Sequence, residues 1–192
     1  SVDNGDRHSR LRGMFGLHAS MSLSDATLEA CSTAVSDGVG FHIHVAEHNA
    51  DQEHSMEKSG LRVVERLQKF GILGPDTIAA HCVHISPHET DILSETGTWV
   101  THQPRSNMNN GVGTADVEYM LKNGIRVGLG NDGFSNNMWA DWKMAYLLHK
   151  VSNLDPRRVT GNTIVDMGVS NNSALASRLF HKVPVGVLEV GA

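Results

Sequence analysis

The alternation of two hydrophobic periods is what most constrains this chain. Short strand-like runs recur at residues 13–19, 40–46, 77–83, 98–102 and 125–130. Helical stretches lie between and after them, at 24–35, 52–70, 87–95, 115–122, 138–150 and 163–180. Repeated strand–helix units imply a parallel sheet with helical crossovers. The punctuation agrees. Ser86, Pro87 and Glu89 form a capping box with proline at the first helical position. Gly71 and Gly124 stand where left-handed caps close helices. The fold class is α/β.

Polar residues gather where the strands end. The first run ends at His18, the second at His42, His44 and Glu47, the third at His81 and His84, the fourth at His102 and the fifth at Asp132. In an α/β barrel, catalytic groups project from those ends. His42 and His44 are two residues apart on a strand and share a face, so either could ligate a metal. Two imidazoles with a carboxylate suit Zn²⁺ first, with Fe²⁺ or Mn²⁺ as alternatives. Such an ion brings the pKa of bound water near neutrality. Glu47, just past His44, is placed to shuttle a proton.

Composition excludes other classes. The net charge of -5 with no basic cluster argues against nucleic acid. No apolar run approaches a membrane span, and the first residues lack the apolar core of a signal peptide. Two cysteines, Cys31 and Cys82, point to a reducing cytoplasm. Twelve histidines are more than the fold needs. His8, His54, His149 and His181 are expected to be scattered on the surface.

The segments FHIHVAE, IAAHCVH, VTHQPRSNMNN and GLGNDG, in this order, resemble the amidohydrolase superfamily. Within it they are similar to the branch of chlorohydrolases, methylthioadenosine/S-adenosylhomocysteine deaminases and guanine deaminases, and to SsnA-type aminohydrolases above all. The resemblance covers about residues 12–192. It implies that His44 is a metal ligand, and that His81 stands beside the metal and bonds the attacking water. Asp132 would bind the metal and take a proton. Glu47 would be the acid/base against the substrate ring. His18 would be a substrate-side histidine, with Ser106 and Asn107 in a loop lining the pocket. One divalent ion, a small heterocyclic substrate and a homodimer in the full-length protein are implied as well.

The same resemblance makes this part of a TIM-like (β/α)8 barrel, strands four to eight. Residues 1–186 would be the partial barrel and 187–192 the start of a return to a flanking β-sandwich. The first strand of the family ends in H-x-H and supplies two further ligands. His42 and His44 could be mistaken for that pair, but the H-x-x-E and the 51-residue step from His81 to Asp132 place them at the fifth strand. The N-terminal half of the barrel is therefore expected to be missing, and with it two of four protein ligands.

The expected reaction is hydrolytic deamination of an amino-substituted N-heterocycle, purine-, pterin- or triazine-like, by metal-bound hydroxide. The alternatives are triazine dechlorination or N-dealkylation, and an inactive fragment serving as a partner surface. The cytidine-deaminase type is excluded, since H-x-E with P-C-x-x-C is absent. Several residues have structural readings. His42 and His84 are expected to pack or orient neighbours, and His102 is open between the two roles. Cys82 is expected to be buried and inert. Trp139, Trp142 and Tyr146 would form one apolar helix face.

Overall fold

The structure, a computed structural model, describes residues 11–36, 38–180, 184–188 and 190. Strands β1 Phe15–Ala19, β2 Phe41–Val45, β3 Ile78–His81, β4 Trp99–His102 and β5 Val127–Leu129 form one sheet in the order β1-β2-β3-β4-β5. Every pairing is parallel. Parallel neighbours in chain order, joined by crossovers of one hand, put the crossover helices on one face.

Those helices are α1 Asp25–Ala34, α2 Asn49–Ser59, α3 Val63–Lys69, α4 Pro87–Thr96, α5 Pro104–Asn110 and α6 Val117–Lys122. After β5 come α7 Met138–Asn153, α8 Gly161–Val165, a π-helical turn Asp166–Asn171 and α9 Asn172–Leu179. The capping box at Ser86 is present, and Gly71 and Gly124 are left-handed, as expected.

Two differences from the sequence reading matter. The stretch 52–70 is two helices, because Gly60 closes α2 with φ 71° and Glu65 then caps the Arg62 N–H to start α3. Residues 104–110 are a helix and not a loop. Pro104 starts it, where a missing N–H costs nothing.

The main core lies between sheet and helices. Phe41, Ile43, Val45, Ala79, Val100 and Val127 supply the sheet side, and Leu28, Leu67, Leu93 and Met120 lie opposite. The other face carries His18, His42 and His44, which point away from that core. A smaller cluster of Ile78, Trp99 and Leu175 brings α9 across the N-terminal end of this second face.

The free edge of β5 is covered by side chains. Asn172 accepts from the Leu129 N–H at 3.1 Å and donates to the Leu129 carbonyl at 3.0 Å, while Asn171 donates to the Val127 carbonyl. The approach needs Gly128, where a Cβ would sit 2.3 Å from Asn172 Oδ1.

The aromatic-face and surface-histidine expectations need correction. Trp142 packs against the core with its indole on Gly168, but Trp139 is 74% exposed and Tyr146 is exposed, so the aromatic face is not a buried one. His149 is buried against His102, and His54 is half-buried. His8 and His181 lie outside the described residues, as do three of residues 187–192. Val187 and Leu188 are exposed and in no strand.

Candidate active site

Residues at the sheet's C-terminal end carry an unusual backbone. Ala46, His81, Cys82 and Asp132 have φ of 46°, 71°, 50° and 51°. Non-glycine residues in that region are strained, and strain held at strand ends marks functional positions. The conformation has a visible consequence at His81. By strand alternation it should follow Ala79 into the helix-side core. Its left-handed backbone, with its N–H held by Gln103 Oε1 at 2.9 Å, turns the imidazole toward His44 instead.

The side chains converge. His44 Nδ1 lies 3.1 Å from His81 Nε2, with the rings stacked at 5.2 Å. Glu47 Oε2 and Asp132 Oδ2 lie 3.6 and 3.8 Å from the same His81 nitrogen. The His18 ring is 5.8 Å from that of His44, and its Nδ1 bonds Ser22 Oγ at 2.8 Å. A cleft of about 140 Å³ opens between His18, Met21, His44, Glu47 and His48. Buried Asp51 ties its walls together, accepting from the N–H groups of Met21 and Ala46. Burial raises the Asp51 pKa, and those two hydrogen bonds oppose the rise.

Helix α5 supplies the support. Ser106 Oγ donates to Asp132 Oδ2 at 2.5 Å, and Asn107 Oδ1 meets His81 Nδ1 at 2.8 Å. With Asn107 so oriented, Nδ1 carries the hydrogen and His81 Nε2 offers a lone pair to the cluster. Asn110 Nδ2 reaches Glu47 Oε1 at 3.0 Å. Glu47 does not cap α2, since His48 does that, accepting from the Ala50 N–H.

Ligand atoms of His44, Glu47 and His81 lie within 4.8 Å of one another, the one such group among the described residues. Burial first, then His81, lowers the His44 pKa, while Asp132 and Glu47 pull it back. A neutral imidazole is the form that binds a metal. Two imidazole nitrogens and a carboxylate fit a Zn²⁺-type ion, and Asp132 Oδ2, 3.8 Å from His81 Nε2, offers a second carboxylate to the same place as Glu47. The seven residues expected at the site thus lie together. His18, Ser106 and Asn107 stand around His44, Glu47, His81 and Asp132.

Other histidines stay out of the cluster. His42 shares the His44 face, and burial followed by His81 lowers its pKa. His84 bonds the Val112 carbonyl at 2.7 Å. His102 points to the helix side and meets His149 Nε2 at 3.2 Å, which makes it structural. Cys82 is fully buried, and desolvation drives its thiol pKa far up, so it is inert. Sequence reading missed Gln103, Asn110 and Asp51. The four-residue step from Ser106 to Asn110 puts both on one face only if the segment is helical, which the sequence pattern around Pro104 does not reveal.

Residues 3–192 match the amidohydrolase family. A 5'-deoxyadenosine deaminase of Methanosarcina mazei is 37% identical over 174 residues, covering 88% of this chain and 40% of the relative. A 5-methylthioadenosine/S-adenosylhomocysteine deaminase of Caldanaerobacter subterraneus is 34% identical over 193 residues, covering 98% and 44%. The chain therefore spans about two fifths of the length of the curated relatives it matches. Among solved structures, a zinc-bound adenosine deaminase of Xanthomonas campestris superposes with a TM-score of 0.77 at 22% identity, over 88% of this chain and 39% of the other. A guanine deaminase of C. acetobutylicum gives 0.74 at 23%, over 86% and 41%. These likenesses show the fold, and the five-stranded sheet is part of a TIM-like (β/α)8 barrel.

Proposed function

The chain belongs to the amidohydrolase family, and from that premise we propose that it carries the proton-transfer side of a metal-dependent deaminase active site. The substrate class is an amino-substituted N-heterocycle, purine-like before pterin- or triazine-like. One observation carries the reading: His44, Glu47, His81 and Asp132 meet at the C-terminal end of a parallel sheet, at strained strand ends. The deaminase names of relatives above 30% identity support deamination over dechlorination.

His44 and Asp132, with His81 beside them, would hold one divalent ion, Zn²⁺ by the chemistry of the donor set. The ion, when bound, supplies Lewis-acid activation of a water molecule. The protein's own residues then manage protons. Asp132, oriented by Ser106, accepts one from the attacking water. His81, pinned by Asn107, orients that water through Nε2. Glu47 delivers its proton to the ring nitrogen, takes the second water proton from the added hydroxyl and passes it to the departing amine, and the proton held by Asp132 returns to Glu47, so that water and amino-heterocycle yield oxo-heterocycle and ammonia. His18 faces the substrate from the far wall of the cleft.

The test is an ammonia-release screen of adenosine derivatives, guanine, pterins and triazines with the full-length protein, which supplies the rest of the barrel, before and after chelation. Ammonia release that stops on chelation and returns with Zn²⁺ is expected. Release unaffected by complete removal of metal would overturn the reading.

A further inference from the structure

Helix α5 does more than line the cleft. Ser106, Asn107 and Asn110 each take one member of the cluster, and Asn110 connects two of them. Its Nδ2 carries two hydrogens. One goes to Glu47 Oε1 at 3.0 Å, and the second faces Ser106 Oγ at 3.5 Å, the outer limit of a bond. The Ser106 hydroxyl in turn donates to Asp132 at 2.5 Å. The Asn110 amide is fixed from behind, because its Oδ1 accepts from Asn109 Nδ2 at 3.0 Å. That bond leaves Nδ2, the donor end, facing the carboxylate. Glu47 is thus held by one oxygen while the other, Oε2, faces His81.

We propose that Asn110 is a positioning residue that sets the two carboxylates, Glu47 and Asp132, relative to each other by donating to Glu47 directly and to Asp132 through Ser106. The inference rests on the functional reading above, in which those carboxylates move the protons. An exposed asparagine at the end of a seven-residue helix has no packing role to explain its place. Proton transfer is sensitive to misplacement of the acid by an ångström or less.

A double-mutant cycle on the full-length protein tests this. Asn110→Leu keeps much of the volume and removes both donors. It is expected to lower kcat by about ten- to a hundredfold, with KM within about twofold and metal content unchanged. In a Glu47→Ala background the same change should have a clearly smaller effect, because only the longer link through Ser106 to Asp132 remains. Independent, multiplying effects would overturn the proposal. So would a change confined to KM, which would make Asn110 a substrate contact. The same cycle read in melting temperature needs no activity. Non-additive shifts support the Asn110–Glu47 link and additive shifts overturn it, even if no heterocycle is deaminated and the functional reading falls.

Discussion

The Nδ1 of His81 and the Oδ1 of Asn107 lie 2.8 Å apart, both fully buried, and this bond decides which His81 nitrogen faces the site. Asn107→Leu removes the acceptor that holds the hydrogen on Nδ1. It should lower kcat by about tenfold or more, the scale for loss of a buried orienting partner. Asn107→Asp keeps the acceptor and should retain more activity than the leucine variant. Steady-state kinetics on both check the order, and leucine equal to aspartate would remove the bond from the account.

His44 is expected to be needed for metal. His44→Ala removes a ligand nitrogen and should lower the bound metal by an order of magnitude or more at fixed free ion, as measured by elemental analysis after dialysis. Ser106→Ala should leave metal bound, since the Ser106 hydroxyl bonds Asp132 and Asn110 and supplies no ligand atom itself. Equal metal in wild type and His44→Ala would exclude His44 from the site.

The His102–His149 pair gives stability a pH dependence. Burial lowers both folded pKa values from 6.5, to about 3 for His102 and about 4 for His149. Below pH 6.5 the unfolded chain takes up protons that the folded chain refuses. Stability from this pair is therefore complete above about 6.5 and falls as pH drops toward 4. The slope is at most roughly 1.4 kcal/mol per pH unit per histidine. Urea midpoints across that range should fall with pH, and His149→Leu should make the slope shallower. An unchanged slope would mean the pair is not buried neutral.

The β5 edge depends on Asn172. Asn172→Ala leaves the Leu129 N–H and carbonyl without partners, a cost of roughly 1–3 kcal/mol. Gly128→Ala should cost a similar amount, because its Cβ enters the space of Asn172 Oδ1. The two losses should not add, since both break one contact. Chemical denaturation of the single and double variants measures this, and additive losses would contradict it.

Much of the architecture was legible because strand and helix periods differ so clearly, and because His18, His44, His81 and Asp132 each close a strand. The missed parts have physical reasons. Proline at 104 reads as a loop unless it is taken as a first helical residue, and with α5 went the roles of Asn110 and the bearing of Ser106. His81 breaks strand alternation through a positive φ that no periodicity reveals. Trp139 follows a core-like spacing, yet the spacing does not say whether anything packs on that face.

The central claim is that Glu47 moves a proton at a metal site it is not needed to fill. Metal content and single-turnover rate, measured on one preparation of Glu47→Gln, test it most directly. The amide keeps the shape and can still accept from Asn110, but it cannot deliver a proton. The account predicts metal at the wild-type level and a rate lower by roughly two or more orders of magnitude. A Glu47→Gln protein that turns over near the wild-type rate, or that loses its metal, would contradict it.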